Sequence, residues 1–441
     1  VWKAVLAIGA VTLVAGILRF VDLGRPGQKV FDEVYYASDG CWYAGHPYRS
    51  CGLEDDVERS WVHPPLGKMM IAVGIDVLGN RPVGWRVGAA VAGTATVALV
   101  GALGFVLFGS ALWGAAAALV AGTEHLLLVQ SRVAMLDVFL ALFVVAGFLF
   151  LVVDRRRQDR ADEDGGGGIR PLLLASGAAF GAAVAVKWSG LTALLGAWVL
   201  AVAWARTRRK RAGASRPILA ALRREGPVLY LALALIPLLA YAVTWIPWLA
   251  DRRFDLLEWV RHHGDMLGYH LELDTTGDDG EPIHPYMSKA WSWFLLLRPV
   301  AYFWRGDPDC CAEILGIGHP LMFWGALLIL PYLILVWRVR RDWTAGAVLV
   351  PVLSQFAPWL LVTRPLFLFY MTPVTPFLAL GLVFVLRDIV ESGVSRRITV
   401  PAVAAVTIVS VGVFAFFWPV LIGQPISYQA WGARIWLDGW I

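Results

Sequence analysis

The run Val30-Phe31-Asp32-Glu33-Val34-Tyr35-Tyr36 sets two adjacent carboxylates among rings and aliphatic side chains. An acidic pair in an open loop is merely solvated. Hemmed in this way the segment reads as packed, and a carboxylate held away from water is a candidate general base. A second run, Trp61-Val62-His63-Pro64-Pro65-Leu66-Gly67-Lys68, is stiffened by two prolines and ends on a lysine. Lys68 opens a short apolar stretch to Leu78 that can lie along a membrane interface. There an ammonium either meets a lipid phosphate or simply snorkels. A third group is Glu124-His125 with Ser131-Arg132 and Leu136-Asp137. Arg132 and Asp137 are five residues apart, so they do not stack on one helix face. Lys187-Trp188-Ser189-Gly190, the stretch His284 to Trp293, Arg298-Pro299, Thr363-Arg364-Pro365 and the run Phe367 to Tyr370 add further cations and aromatics.

These residues need elements to hold them, and composition says which kind. The chain of 441 residues is 58% hydrophobic and 16% charged. Soluble domains run at roughly 45–50% and about 25%. A soluble protein of this length would still need a polar surface, so the apolar excess faces lipid. The 22 tryptophans suit membrane interfaces, where the ring sits among headgroups. At about 20 residues per span, eleven candidates emerge: 2–20, 83–108, 111–129, 133–153, 171–187, 189–205, 227–249, 319–337, 343–362, 366–386 and 398–422. Two breaks are tight, Gly109-Ser110 and Lys187 to Gly190. No cleavable signal peptide is expected in the first apolar run.

Numbering the connections alternately, with the N-terminus inside, sends every arginine run to one side. Arg155-Arg156-Arg157, Arg206 to Arg211, Arg338 to Arg341, and Arg387 with Arg396-Arg397 all fall on inside loops. The net charge of +5 is therefore topological, and nucleic acid is not an expected partner. Segments 21–82 and 250–318 then lie outside, and all eight histidines and all four cysteines fall there or at outer helix ends. Cys41 and Cys51 can close a small loop in an oxidising compartment, and the alternative is that all four thiols are free. The acidic, then glycine-rich run Asp162 to Gly168 reads as a mobile linker. Neither a P-loop nor a GxGxxG motif is present, so a nucleotide drawn from inside is not expected.

In its motifs the chain resembles the protein O-mannosyltransferases, polytopic enzymes of the GT-C glycosyltransferase class. Asp32-Glu33 after the first span and His63-Pro-Pro-Leu-Gly-Lys68 carry the likeness most specifically. Ser131-Arg132 with Leu136-Asp137, Lys187 to Gly190, the His284–Trp293 stretch with Arg298-Pro299, and Phe367 to Tyr370 support it over nearly the whole chain. The second outer segment, about 70 residues, is too short for the β-trefoil domain that eukaryotic members carry, and the Ala-, Gly- and Arg-rich composition resembles an actinobacterial member. The resemblance implies an all-α polytopic membrane protein of GT-C fold, with about eleven transmembrane helices and two larger extracytoplasmic loops, the first catalytic. It implies a plasma-membrane enzyme that moves mannose, with inversion, from polyprenyl-phosphate-mannose to Ser or Thr of exported polypeptides, with the secretion channel as an expected neighbour.

By that likeness Asp32 or Glu33 is the base, Asp32 first. Lys68, His63, Arg132, Arg298, Arg364 and Tyr370 are expected at the donor phosphate, with Asp137 orienting Arg132 or meeting the acceptor. No cofactor is expected. A divalent metal on the Asp-Glu pair stays open, although a sugar monophosphate has less charge to neutralise than a nucleotide diphosphate. Two other readings compete. A lipid-linked arabinosyl- or aminoarabinosyl-transferase would share the carboxylate and the cations. A transporter or flippase would place ionisable groups near the midplane in paired halves.

Overall fold

A computed structural model of the chain describes residues 1–52, 61–163, 170–277 and 280–441. Residues 53–60 of the first outer segment and the 164–168 part of the expected linker lie outside the described residues. In chain order the helices are α1 (Trp2–Phe20), α2 (Glu33–Tyr43), α3 (Leu66–Leu78), α4 (Pro82–Phe108), α5 (Ala111–Gly122), α6 (His125–Gln130), α7 (Asp137–Glu163), α8 (Pro171–Val186) and α9 (Gly190–Arg211). Then come α10 (Pro217–Tyr230), α11 (Ile236–Thr244), α12 (Ile246–Asp251) and α13 (Leu256–Glu272). A hairpin β1 (Val300–Gly306) and β2 (Cys311–Gly316) precedes α14 (Pro320–Val339), α15 (Trp343–Phe356), α16 (Thr375–Glu391), α17 (Arg396–Ile422) and α18 (Tyr428–Gly432).

Helices dominate because a chain crossing hydrocarbon must satisfy every backbone N–H and C=O internally. Proline opens α4, α8, α10 and α14, where its missing N–H costs nothing. Gly109 closes α4 with a left-handed φ of 69°, which makes the tight break before α5. Small residues let α4 and α5 close on each other. A Cβ on Gly104 would come within 2.8 Å of the Ala117 methyl.

All eleven expected segments are helical, but they differ in length. Among the described residues eight helices are long and apolar enough to cross a bilayer, counting Pro217–Thr244 as one rod through α10 and α11 and running α15 on to Leu361. The other three segments are helical but shorter. Helix α5 has 12 residues, α8 has 16 and α16 has 17, against about 20 for a full span. The segment read as 111–129 breaks because the Glu124 carboxylate accepts the Leu126 and Leu127 N–H groups and starts α6 afresh. The segment read as 366–386 begins with a separate turn at Leu368–Met371. The fold is helical as expected, with one antiparallel hairpin beside the helices that pairs Val300 with Gly316 and Gly306 with Cys311 across a bulge at Ala301/Phe303.

Helix α7 is the axis of the molecule. Within its apolar window 78% of residues are buried, against 17% for α17 and 22% for α1, which leave most of their surface for lipid. It packs on α4, α8 and α9. Asp137 opens it and Arg155 stands 18 residues further on, about 27 Å at 1.5 Å per residue. That is close to one hydrocarbon thickness. Around its far end Asp154 of α7, Arg170 before α8, Arg208 and Arg209 of α9 and Glu225 of α10 meet. Arg170 pairs with Asp154, and Glu225 takes Arg170, Arg208 and Arg209.

Candidate active site

The backbone at Phe31 is left-handed, with a φ of 47°. For a bulky residue this costs on the order of 1–3 kcal/mol and persists only where packing imposes it. Here the ring packs 4.9 Å from Tyr302 on β1 and 5.7 Å from Phe369. The kink places Asp32 at the start of α2 and turns Asp32 and Glu33 in different directions.

Glu33 turns inward. It is fully buried and takes four hydrogen bonds: 2.7 Å from Arg86 Nε, 2.7 Å from Arg86 Nη2, 3.0 Å from the Val30 N–H and 2.8 Å from the Ala134 N–H. The rest of the Arg86 guanidinium donates to the carbonyls of Leu23, Pro26 and Gln28. This knot ties the loop after α1 to α4 and to the strand of chain before α7. The Glu33 carboxylate has no free face toward a substrate.

Asp32 faces a cavity of about 380 Å³, within the range of small-ligand sites. Phe31, Tyr35 and Tyr36 line it from the first outer segment, with Trp61, Val62 and His63 beside them. Tyr269, His270 and Leu273 come from α13 and the residue after it. His284 and the run from Arg364 to Tyr370 close the far side, and Lys187 supplies the floor. Burial pushes the Asp32 carboxyl up to about 6. The Lys187 ammonium pulls it down, the Asp137 carboxylate pushes it up, and the Tyr36 hydroxyl opposes the rise. Asp32 is thus largely ionised at neutral pH and still a better proton acceptor than an ordinary aspartate.

Lys187 sits between two partners. Its Nζ lies 3.0 and 3.1 Å from the Asp137 oxygens and 4.4 Å from the centre of the Tyr370 ring. Arg364 lies 5.7 Å from Tyr370 and 5.8 Å from Trp359, and among the described residues it has no carboxylate partner. His63 stacks on His270 at 5.5 Å. Burial holds its pKa well below the usual imidazole value, and Lys187, His270, Lys68 and Arg364 push the same way. Burial and Arg364 bring His270 to about 4. Both rings are neutral at pH 7, so the positive charge in the cavity comes from Lys187 and Arg364.

Of the residues singled out in the sequence, Asp32, His63, Arg364 and Tyr370 line one cavity. The other five do not. Glu33 is in the Arg86 knot. Lys68 bonds Asp39 at 2.9 Å and joins α3 to α2. Arg132 donates to the carbonyls of Leu18 and Arg19, closing the C-terminal end of α1. Asp137 stands behind Lys187 and not beside Arg132. Arg298 holds the carbonyls of Pro285, Gly439 and Ile441. Lys68, Arg132 and Arg298 each bond protein oxygens and lie outside the lining of this cavity. The Asp-Glu pair does not converge on one point, and among the described residues no three His, Cys, Asp or Glu side chains gather in a metal-like cluster. Lys187 stands out in the sequence only as part of the Lys187–Gly190 turn, and no role at the donor phosphate was expected of it. Sequence reasoning also passed over Arg86, a lone cation inside a span, where charge is rarely idle. Cys41 and Cys51 are bonded, closing the end of α2, while Cys310 and Cys311 are free thiols.

Residues 80–247 match the family model for dolichyl-phosphate-mannose-protein mannosyltransferase, and residues 256–440 match that for the C-terminal four-helix transmembrane region of protein O-mannosyltransferase. A polyprenol-phosphate-mannose–protein mannosyltransferase of Mycolicibacterium smegmatis is 34% identical over 98% of this chain and 92% of its own. One from Mycobacterium tuberculosis is 33% identical over 98% and 91%. Among solved structures, the Saccharomyces cerevisiae protein O-mannosyltransferase Pmt1-Pmt2 complex bound to the sugar donor superposes with a TM-score of 0.81, at 14% identity, over 99% of this chain and 92% of that one. ArnT from Cupriavidus metallidurans follows the same path at a TM-score of 0.56 and 16% identity, over 98% and 79%. The helical scaffold is the GT-C fold these structures share, and, by full-length identity to the mycobacterial proteins, the chain belongs to the protein O-mannosyltransferase family.

Proposed function

We propose that this chain transfers mannose from polyprenyl-phosphate-mannose to Ser or Thr hydroxyls of exported polypeptides, with Asp32 as the base. The observation that carries the reading is the pairing of a raised carboxylate, Asp32, with two cations, Lys187 and Arg364, around one cavity. The relatives named above as polyprenol-phosphate-mannose–protein mannosyltransferases support the donor and the acceptor class.

The reaction is a single displacement. Asp32 takes the proton of the acceptor hydroxyl as that oxygen attacks the anomeric carbon. The bond from that carbon to the phosphate oxygen breaks on the opposite face, so a β-linked donor gives an α-mannoside. The electron pair leaves on the lipid phosphate, which Lys187 and Arg364 stabilise as its charge grows. The polyprenyl phosphate that departs is already a good leaving group and needs no acid. The neutral imidazole of His63 and the Tyr370 hydroxyl are hydrogen-bonding groups for sugar or phosphate. Glu33 is a positioning residue that acts through Arg86. No metal is required in this scheme, because two fixed cations meet a singly charged phosphodiester.

The arginine runs gathered at the far end of α7 support an N-terminus in the cytoplasm and a cavity on the outside of the plasma membrane. Segments 21–82 and 250–318 are then extracytoplasmic parts of one module, beside the channel from which unfolded acceptors emerge. Transfer of radiolabelled mannose from purified polyprenyl-phosphate-mannose to a Ser/Thr-rich peptide tests the activity, and no labelled peptide would overturn it. Single cysteines at 25 and at 213, probed on intact cells with an impermeant maleimide, test the sidedness. Labelling at 25 alone is expected, and labelling at 213 alone would invert the topology.

A further inference from the structure

At the end of α7 remote from Asp32, a second cavity of about 680 Å³ opens between α7, α9, α14 and α15. Its inner wall is Arg155, only 4% exposed, whose guanidinium carbon lies 4.2 Å from the centre of the Trp343 ring and 4.8 Å from that of Trp204. The one carboxylate against Arg155 is Asp159, at 3.5 Å, and the Arg155 Nε has no hydrogen-bond partner among the described residues. The rim carries Arg206, Lys210 and Arg211 from α9 and Arg338 and Arg341 from the end of α14 and just beyond it. All five are exposed, and none has an ion-pair partner among the described residues. The neighbouring arginines differ, since Arg170, Arg208 and Arg209 are matched by Asp154 and Glu225.

Six cations facing one cavity with a single carboxylate call for a polyanion. The same helices also indicate its tail. Up α9 from Arg206, at helical spacing, lie the exposed Val199 and Leu195; up α14 from Arg338 lie Ile334 and Leu327. A ligand here meets charge at one end and an apolar helix surface at the other. We propose that this cavity binds a phospholipid whose headgroup carries two phosphates, seated on Arg155 and the rim cations with its acyl chains along α9 and α14. Basic pockets between transmembrane helices suit such headgroups, and a guanidinium packed against indole rings is held in place to meet phosphate oxygens. The proposal does not depend on the transfer reaction.

The test is thermal unfolding of the purified full chain in detergent, titrated with tetraoleoyl cardiolipin, with phosphatidylcholine, or with inorganic pyrophosphate. A ligand that binds only the folded state raises Tm with concentration. Cardiolipin is expected to raise it, and the other two are not. R338Q/R341Q should weaken the cardiolipin response about tenfold or more in concentration. R396Q/R397Q removes as many exposed arginines outside the cavity and should leave the response unchanged. An equal loss in the two double variants would reduce the effect to general surface charge and overturn the site. An equal shift with pyrophosphate would make the ligand a soluble anion and overturn the lipid.

Discussion

The cavity around Asp32 and the knot around Glu33 begin one residue apart and treat a buried carboxylate in opposite ways. Glu33 meets a guanidinium and two backbone N–H groups, and no lone pair is left over. Asp32 is withdrawn from water while the cation nearest it is shared with Asp137. Complete pairing makes a carboxylate inert and structural. Incomplete pairing leaves its proton affinity high and its face open. The same contrast sorts the cations. Arg132 and Arg298 are spent on carbonyls, whereas Arg364 is not.

The largest loss of activity is expected at Asp32. Asp32→Asn should lower kcat/KM by about 10²–10⁴-fold, the usual worth of a general base, with thermal unfolding unchanged. Glu33→Gln and Arg86→Gln should show the reverse emphasis. Removing one partner of a buried pair costs ~3–5 kcal/mol, so Tm should fall steeply and activity should fail along with folding. If Glu33→Gln unfolds like the wild type yet is inactive, the two carboxylates have been assigned the wrong way round.

Lys187→Met sharpens the contrast at a smaller magnitude. Loss of one charge-assisted contact is worth ~1.5–3 kcal/mol, about tenfold to a hundredfold in kcat/KM. In the wild type a base with a pKa of about 6 must be ionised, so kcat/KM should fall as pH drops through 6. Lys187 lowers that value, so its removal should move the acid limb upward in pH. An acid limb that stays in place would take Lys187 out of contact with the base. The smallest effect is expected from EDTA, which should leave the rate of mannose transfer unchanged; a loss restored by Mn²⁺ or Mg²⁺ would bring a metal into the site.

Much of this contrast was out of reach of the sequence, for definite reasons. Hydrophobic length and the arginine runs made the membrane and its two ends legible, and Gly109 and the Lys187–Gly190 turn marked real helix ends. Asp32, His63, Arg364 and Tyr370 were readable because their neighbours are unusual. What a sequence does not display is a partner. Lys68, Arg132 and Arg298 look as free as Arg364 until Asp39 and the carbonyls of Leu18, Arg19 and Ile441 come into view. The direction of Glu33 depends on one positive φ at Phe31 and on an arginine 53 residues away. The hairpin had a signal in Tyr302-Phe303-Trp304 before the Gly306-Asp307-Pro308 turn, but so short a run competes poorly with long apolar helices.

Phe31 also bears on how freely this stretch of chain can vary. Its backbone favours glycine and its surroundings demand a ring, so no single residue type serves both needs better than the one present. Glycine would relieve the strain and leave a void against Tyr302 and Phe369; a β-branched residue would fill part of the void and sharpen the strain. Routes that change this position one step at a time all pass through a worse protein. Position 31 is thus a mutational dead end beside the residue it aims, and a saturation library should find it nearly as intolerant as position 32.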